Sequence, residues 1–187
     1  MTNKNDDLGA FNAAGEVRLV RQLPGPIERV WEYLTNPEKR ALWLAGGPLD
    51  VRIGGALELR FRHRDLTAEE TPEEYRDMGD SCDFTGRVTR CEPPRLLSYT
   101  WGFPVGSEVT FELTPQGGKV QMVVTHRRLG NDPDTNPGVA TGWHSHVALL
   151  LARLEGAEPP GFWSTFVRLK PEYAKLFGQQ AGMPGGF

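Results

Sequence analysis

The apolar positions of this 187-residue chain change period several times, and the changes outline a fold. Glu16 to Leu23 read as a first strand, stopped by Pro24, Gly25 and Pro26. The period then turns helical. Ile27, Val30, Trp31 and Leu34 fall at i, i+3, i+4 and i+7, with Pro26 suited to the first turn. Asn36-Pro37 predicts a second short helix, with Asn as cap and Pro at the first helical position, and Gly46-Gly47 ends it. Period two follows. Leu49, Val51 and Ile53 predict one strand, and Gly54-Gly55 a turn. Leu57, Leu59, Phe61 and His63 alternate with Glu58, Arg60, Arg62 and Arg64 on the next, which is the signature of a half-buried antiparallel strand. Further strands are marked by Phe84, Gly86 and Val88, by Leu97, Tyr99 and Trp101, and by Val109, Phe111 and Leu113. The last carries Val120, Met122, Val124 and His126 after the turn Gln116-Gly117-Gly118. Connections this short require antiparallel pairing.

The final change of period is the most informative. Val139, Trp143, Val147, Leu150 and Leu154 make one helical stripe, with Asn136 and Pro137 expected as N-cap and first helical residue, and Gly156 just past the last turn. A single long helix after a run of antiparallel strands packs across the concave face of a curved sheet. The expected fold is therefore α+β: about seven antiparallel strands, in the order β-α-α-β6-α, wrapped around a long C-terminal helix with a cavity between them. Residues 1–14 are expected to be a flexible tail and 15–160 the domain. Residues 161–187 are expected to be an extension docking on it through Phe162, Phe166, Leu169, Tyr173 and Phe177. The acidic, turn-rich stretch from Arg64 to Asp80 predicts a long loop with a short helix at Pro72 to Tyr75, placed to act as a rim or lid.

Composition narrows the function. The net charge is −3, from 21 basic and 24 acidic residues that are interspersed, so the basic stripe of a nucleic-acid binder is missing. No apolar run is long enough to span a membrane, and the polar N-terminus lacks an apolar signal core, which predicts a cytoplasmic protein. Cys82 and Cys91 sit at the two ends of one predicted strand, about 30 Å apart by strand rise, so they are expected as reduced thiols.

Several motifs carry a resemblance. These are Pro26-Ile27 with Val30-Trp31 and Leu34-Thr35, Asn36-Pro37-Glu38 leading to Trp43, and Gly54-Gly55 after a strand. GRVTRCEPPRLLSYTW from Gly86, SEVTFELTP from Ser107, VVTHRRL from Val123, and Gly142-Trp143 through Leu154-Glu155-Gly156 complete them. Over residues 16 to 156 the chain resembles the helix-grip (SRPBCC, START-like) superfamily. Within it, the chain is most similar to the group named after the C-terminal domain of the activator of heat-shock protein 90 ATPase. The resemblance implies the fold and, for many superfamily members, a ligand cavity. It also brings a stress-response co-chaperone contact into consideration. The co-chaperone has a separate N-terminal domain for its client contact where this chain has a short polar tail, so a chaperone partner ranks low.

Sheet parity places Phe61, His63, Tyr99, Trp101, Phe111, Met122 and His126 on the concave face, opposite Trp143 and His146. Trp43 joins them as a ligand-binding candidate. This aromatic lining with a few polar tips suits a small apolar or aromatic molecule. His126 stands out because it continues an apolar face, as a polar anchor or a base near neutral pH. His144 and His146, two apart on a helix, point about 200° from each other and cannot share a metal. No metal or cofactor is expected. Ser98 and Ser145 lack a nucleophile-elbow motif. The favoured reading is a binding module. A cyclase- or hydrolase-type enzyme using His126 or Tyr99 in the same cavity is the alternative, and a co-chaperone-like interaction protein the second.

Overall fold

The computed structural model describes residues 5–76 and 82–180. Seven antiparallel strands form one sheet: β1 (Ala10–Phe11), β2 (Val17–Pro24), β3 (Ala56–Phe61), β4 (Cys82–Glu92), β5 (Leu96–Trp101), β6 (Ser107–Gln116) and β7 (Lys119–Arg127). Their order across the sheet is β1-β2-β7-β6-β5-β4-β3. Two short helices, α1 (Ile27–Thr35) and α2 (Pro37–Ala41), separate β2 from β3. Two long ones, α3 (Thr135–Glu155) and α4 (Phe162–Gln180), end the described chain. This is the α+β arrangement expected from the periods, and the helix-grip fold that the resemblance implies.

Local chemistry sets the boundaries. The Asn36 side chain accepts from the backbone N–H groups of Glu38 and Lys39, at 3.0 and 2.9 Å, and so caps α2 as its sequence predicts. Gly156 takes φ 68° after α3, a left-handed turn in which its N–H reaches the carbonyls of Ala152 and Arg153. The start of α3 differs from expectation. The helix begins at Thr135, and Asp132 serves its first turn by accepting from the N–H groups of Asp134 and Thr135. Asn136 lies inside the helix, fully buried. Its amide donates to the carbonyls of Gly15 and Gly130, at 2.6 and 2.9 Å, and accepts from Asp132 N–H. It pins the loop before β2 to the loop before α3.

Two strand assignments change while the count stays at seven. Leu49, Val51 and Ile53 alternate but do not form a strand. Only single bridges, Gly46 to Arg60 and Leu49 to Leu57, tie this stretch to β3, and Ile53 is 68% exposed. The missing strand is supplied from residues expected to be a flexible tail. Ala10 and Phe11 pair with Arg18 and Val17, and Phe11 is buried against Tyr173 and Phe177 of α4. Strand β3 also ends at Phe61, so His63 sits in a following 3₁₀ turn.

Every second residue of β2 faces inward, including Arg21 at 3% exposure. Its guanidinium donates to the carbonyls of Val20 and Asp7 and to His144 Nε2. An arginine can only donate, so His144 Nε2 accepts and Nδ1 carries the proton, which it gives to the Tyr173 hydroxyl at 2.9 Å. That hydroxyl also accepts from Gly9 N–H at 2.8 Å. The last helix, the inward face of α3 and the N-terminal segment thus share one polar network.

Candidate functional site

A cavity of about 370 Å³ opens between the first half of α3, the start of α4 and one end of the sheet. Its strand residues are Phe84 near the start of β4, Trp101 at the end of β5 and His126 near the end of β7, which antiparallel pairing brings to the same end. From α3 come Gly138, Val139, Gly142, Trp143 and His146, at the three- and four-residue spacing of one helix face. From α4 come Phe162, Trp163, Phe166 and Lys170. The wall is a mesh of ring contacts. Trp101 lies 5.1 Å from Trp143, His146 lies 4.7 Å from Phe162, and Tyr75 stacks on Trp163 at 5.4 Å with an 8° interplanar angle. Tyr75 belongs to the predicted rim loop and also accepts a hydrogen bond from Lys170 Nζ, which sits 4.9 Å over its ring. Residues 77–80 of that loop lie outside the described residues.

Of the residues singled out from the sequence, His63, Trp101, His126, Trp143 and His146 line this cavity, and Trp43, Phe61, Tyr99, Phe111 and Met122 do not. Phe61, Tyr99, Phe111 and Met122 face inward as parity requires, but they and Trp43 pack into the core. The Trp143 ring is the physical reason. It covers Phe111 at 5.5 Å, and so seals the central sheet from the open end. Trp43 is buried edge-on to Phe111, and its indole N–H is used by the Tyr33 carbonyl. Met122, in register with Arg21 and Leu113, is fully buried. Tyr99 is buried beside Arg40, and burial pushes its phenol well above the usual range. The wall from α4 was missed. Its signal in the sequence is the Phe162-Trp163 pair at the start of the last amphipathic stretch.

The tautomers of two cavity histidines follow from their partners. The Trp143 indole N–H donates to His126 Nδ1 at 3.0 Å, and an indole nitrogen cannot accept. His126 must therefore carry its proton on Nε2 and donate to Ser107 Oγ at 3.1 Å. Both nitrogens are occupied, and burial holds the imidazole down to about 3. A base that activates Ser107 would need the other tautomer. This arrangement removes the anchor and base roles expected of His126, which turns only its ring face to the cavity. His146 is wired differently. Its Nδ1 lies 2.7 Å from the Trp43 carbonyl and must donate to it, so Nε2 is left as an acceptor. Burial first, and then the neighbouring His63, hold its pKa down to about 3, against the carbonyl bond that raises it. Trp163 Nε1, on the α4 wall, is buried without a partner among the described residues.

The cavity's lining is thus mostly apolar, and its Asp and Lys side chains, Asp134 and Lys170, come from the position just before α3 and the third turn of α4. Among the described residues, no group of three His, Cys, Asp or Glu side chains is placed to hold a metal ion, and no helix is long and apolar enough to cross a membrane.

Comparison with known proteins places this geometry. The model of the family described as Activator of Hsp90 ATPase homolog 1-like protein matches residues 24–155. No curated protein matches the chain. A Bordetella parapertussis protein, solved by NMR in solution, is 42% identical and superposes with a TM-score of 0.75 over 92% of this chain and 94% of its own. The crystal structure of CalU16 from Micromonospora echinospora is 21% identical, with a TM-score of 0.65 over 87% and 88% of the two chains. A conserved protein of unknown function from Enterococcus faecalis is 17% identical, with a TM-score of 0.67 over 95% and 94%. The last two likenesses concern the fold alone. The family match ends before α4, so the wall from Phe162 to Lys170 lies outside it.

Proposed function

We propose that this chain, which belongs to the family of Activator of Hsp90 ATPase homolog 1-like proteins, is a binding module for a small apolar or aromatic molecule held between the sheet, α3 and α4. The observation that carries the reading is the cavity itself. It has about 370 Å³ of space walled by tryptophan, phenylalanine and histidine rings, within the size range of small-molecule sites. A core built only for stability would close such a gap, because unfilled apolar volume costs packing energy. Two glycines keep it open: a Cβ built on Gly138 or Gly142 meets no atom within 4 Å. We place the protein in the cytoplasm, where the free thiols of Cys82 and Cys91 would stay reduced.

The test is fluorescence titration of the purified chain with an apolar probe such as 1-anilinonaphthalene-8-sulfonate, next to native mass spectrometry for a co-purified molecule. Binding at roughly micromolar Kd is expected. Gly142→Leu, which puts a side chain into the cavity without touching the core, should abolish it. Equal binding by both proteins would place the probe elsewhere and overturn the reading.

A further inference from the structure

On the reading that the cavity holds a small aromatic molecule, we infer that the ligand presents an uncharged hydrogen-bond donor, a hydroxyl above all, to His146 Nε2, with its flat apolar body along the bare backbone of Gly138 and Gly142. The polarity follows from the wiring of the walls. His146 Nδ1 is committed to the Trp43 carbonyl, so its other nitrogen can only accept, and it receives no hydrogen bond from the described residues. His126 offers neither nitrogen, being held between Trp143 and Ser107. Around His146 the lining also holds the rings of His63 and Phe162, at 5.5 and 4.7 Å, and the Trp163 N–H is buried without a partner among the described residues. A hydroxyl can donate, so it suits a wall whose open polar group is an acceptor. An ether or a methyl group cannot serve the acceptor. No carboxylate lines the cavity's inner end to hold a ligand ammonium, since Asp134 belongs to the start of α3.

The body of the ligand is set by the helix. Gly138, Gly142 and His146 follow at four-residue steps, which spans about 12 Å along the axis at 1.5 Å per residue. Over that length the two glycines replace side chains with backbone, while Trp143 and Phe162 supply faces on either side. The shape is a slot, long enough for two fused rings with the donor at the inner end.

The test uses 2-naphthol, 2-methylnaphthalene, 2-methoxynaphthalene and 2-naphthoate with the full chain, titrated by quenching of tryptophan fluorescence. The expected result is 2-naphthol binding roughly tenfold tighter than its methyl and methoxy analogues, the scale of one buried hydrogen bond. In ¹⁵N spectra, the unprotonated Nε2 of His146 should move on addition of 2-naphthol and stay in place with 2-methylnaphthalene. His146→Phe should remove the preference while keeping 2-methylnaphthalene binding. If that variant does not fold, the nitrogen shift in the unaltered protein still decides. Equal binding of all four probes, tightest binding of 2-naphthoate, or an unmoved Nε2 would overturn the inference and leave the cavity reading intact. Gly142→Leu should lose every probe alike. Its failure to do so would overturn the cavity reading itself.

Discussion

Acid should unfold this protein through its histidines, in a pH window above that of its carboxylates. His126, His144 and His146 are three of the four histidines, and all are held to about 3. Burial is the first cause in each. The guanidinium of Arg21 adds to it at His144, and His63 at His146. In the unfolded chain each would titrate near ~6.5. The folded values lie below the unfolded ones, so as pH falls the unfolded state takes up protons first. The stability contributed by keeping these rings neutral is complete above pH ~7, and drains from pH ~6.5 down toward about 3. One unit below the unfolded value, at pH ~5.5, each ring costs RT ln 11, about 1.4 kcal/mol, and three cost about 4 kcal/mol. That is a large part of the ~5–15 kcal/mol of a typical domain. Urea melts followed by tryptophan fluorescence at pH 7.5, 6.5 and 5.5 measure it directly. With a slope near ~2 kcal/mol per molar, the midpoint should fall by about 2 M across that range. Carboxylates titrate near ~4 and contribute little to this window. A midpoint unchanged between pH 7.5 and 5.5 would show that these rings are not buried neutral, and would undo the tautomers deduced from their partners.

Other substitutions probe the same framework. Gly142→Ala should raise stability by about 0.5–1 kcal/mol, because a glycine is replaced inside a helix where a Cβ meets open space, and should weaken probe binding; a stability loss in thermal melts would mean the position is packed. Trp143→Phe keeps most of the apolar contact but deprives His126 Nδ1 of its donor, so it should cost about 1–3 kcal/mol beyond the lost ring volume, and loss of the ordered His126 ring signals by NMR should accompany it. Asn136→Ala strands the Gly15 and Gly130 carbonyls and should cost about 1–3 kcal/mol in denaturant melts, where a cost near zero would show that water replaces the amide.

The architecture was legible because periodicity reports which residues share a buried face, even though α3, packed between the sheet and α4, is buried on most of its sides. Val139, Trp143, Val147, Leu150 and Leu154 do lie on one side of α3, four of them buried and Val139 at the cavity. Periodicity does not report pairing. Val51 and Ile53 alternate as well as any strand residue yet have no neighbour to pair with, whereas Ala10–Phe11 is too short to show a period and owes its place to α4. Half of the candidate site was legible for the same reason. Parity turned Trp101, His126 and Phe111 inward alike, but could not tell that the Trp143 indole would lie over Phe111 and leave Trp101 and His126 facing open space. Nor could it give the donor on either side of an imidazole, which decides what each histidine can do.

The clasp between the chain's two ends has a consequence for the order of assembly. Gly9 N–H reaches the Tyr173 hydroxyl across 164 positions, and Phe11 N–H reaches the Gln180 side chain across 169. Contacts that span nearly the whole sequence form late, since the loop they close is the longest available. While the chain emerges from the ribosome, β2 can already zip to β7, but the strand that covers its far side waits for a helix not yet made. Until then β2 offers an open edge of backbone donors and acceptors, the kind of surface on which nascent chains pair with one another. A chain cut after residue 160 should therefore fold its sheet and still associate at β2, and hydrogen exchange at the Ala10 and Phe11 amides should rise to the rate of free chain. If those amides stay protected in the shortened chain, the first strand is held by β2 alone, and α4 is only a cover.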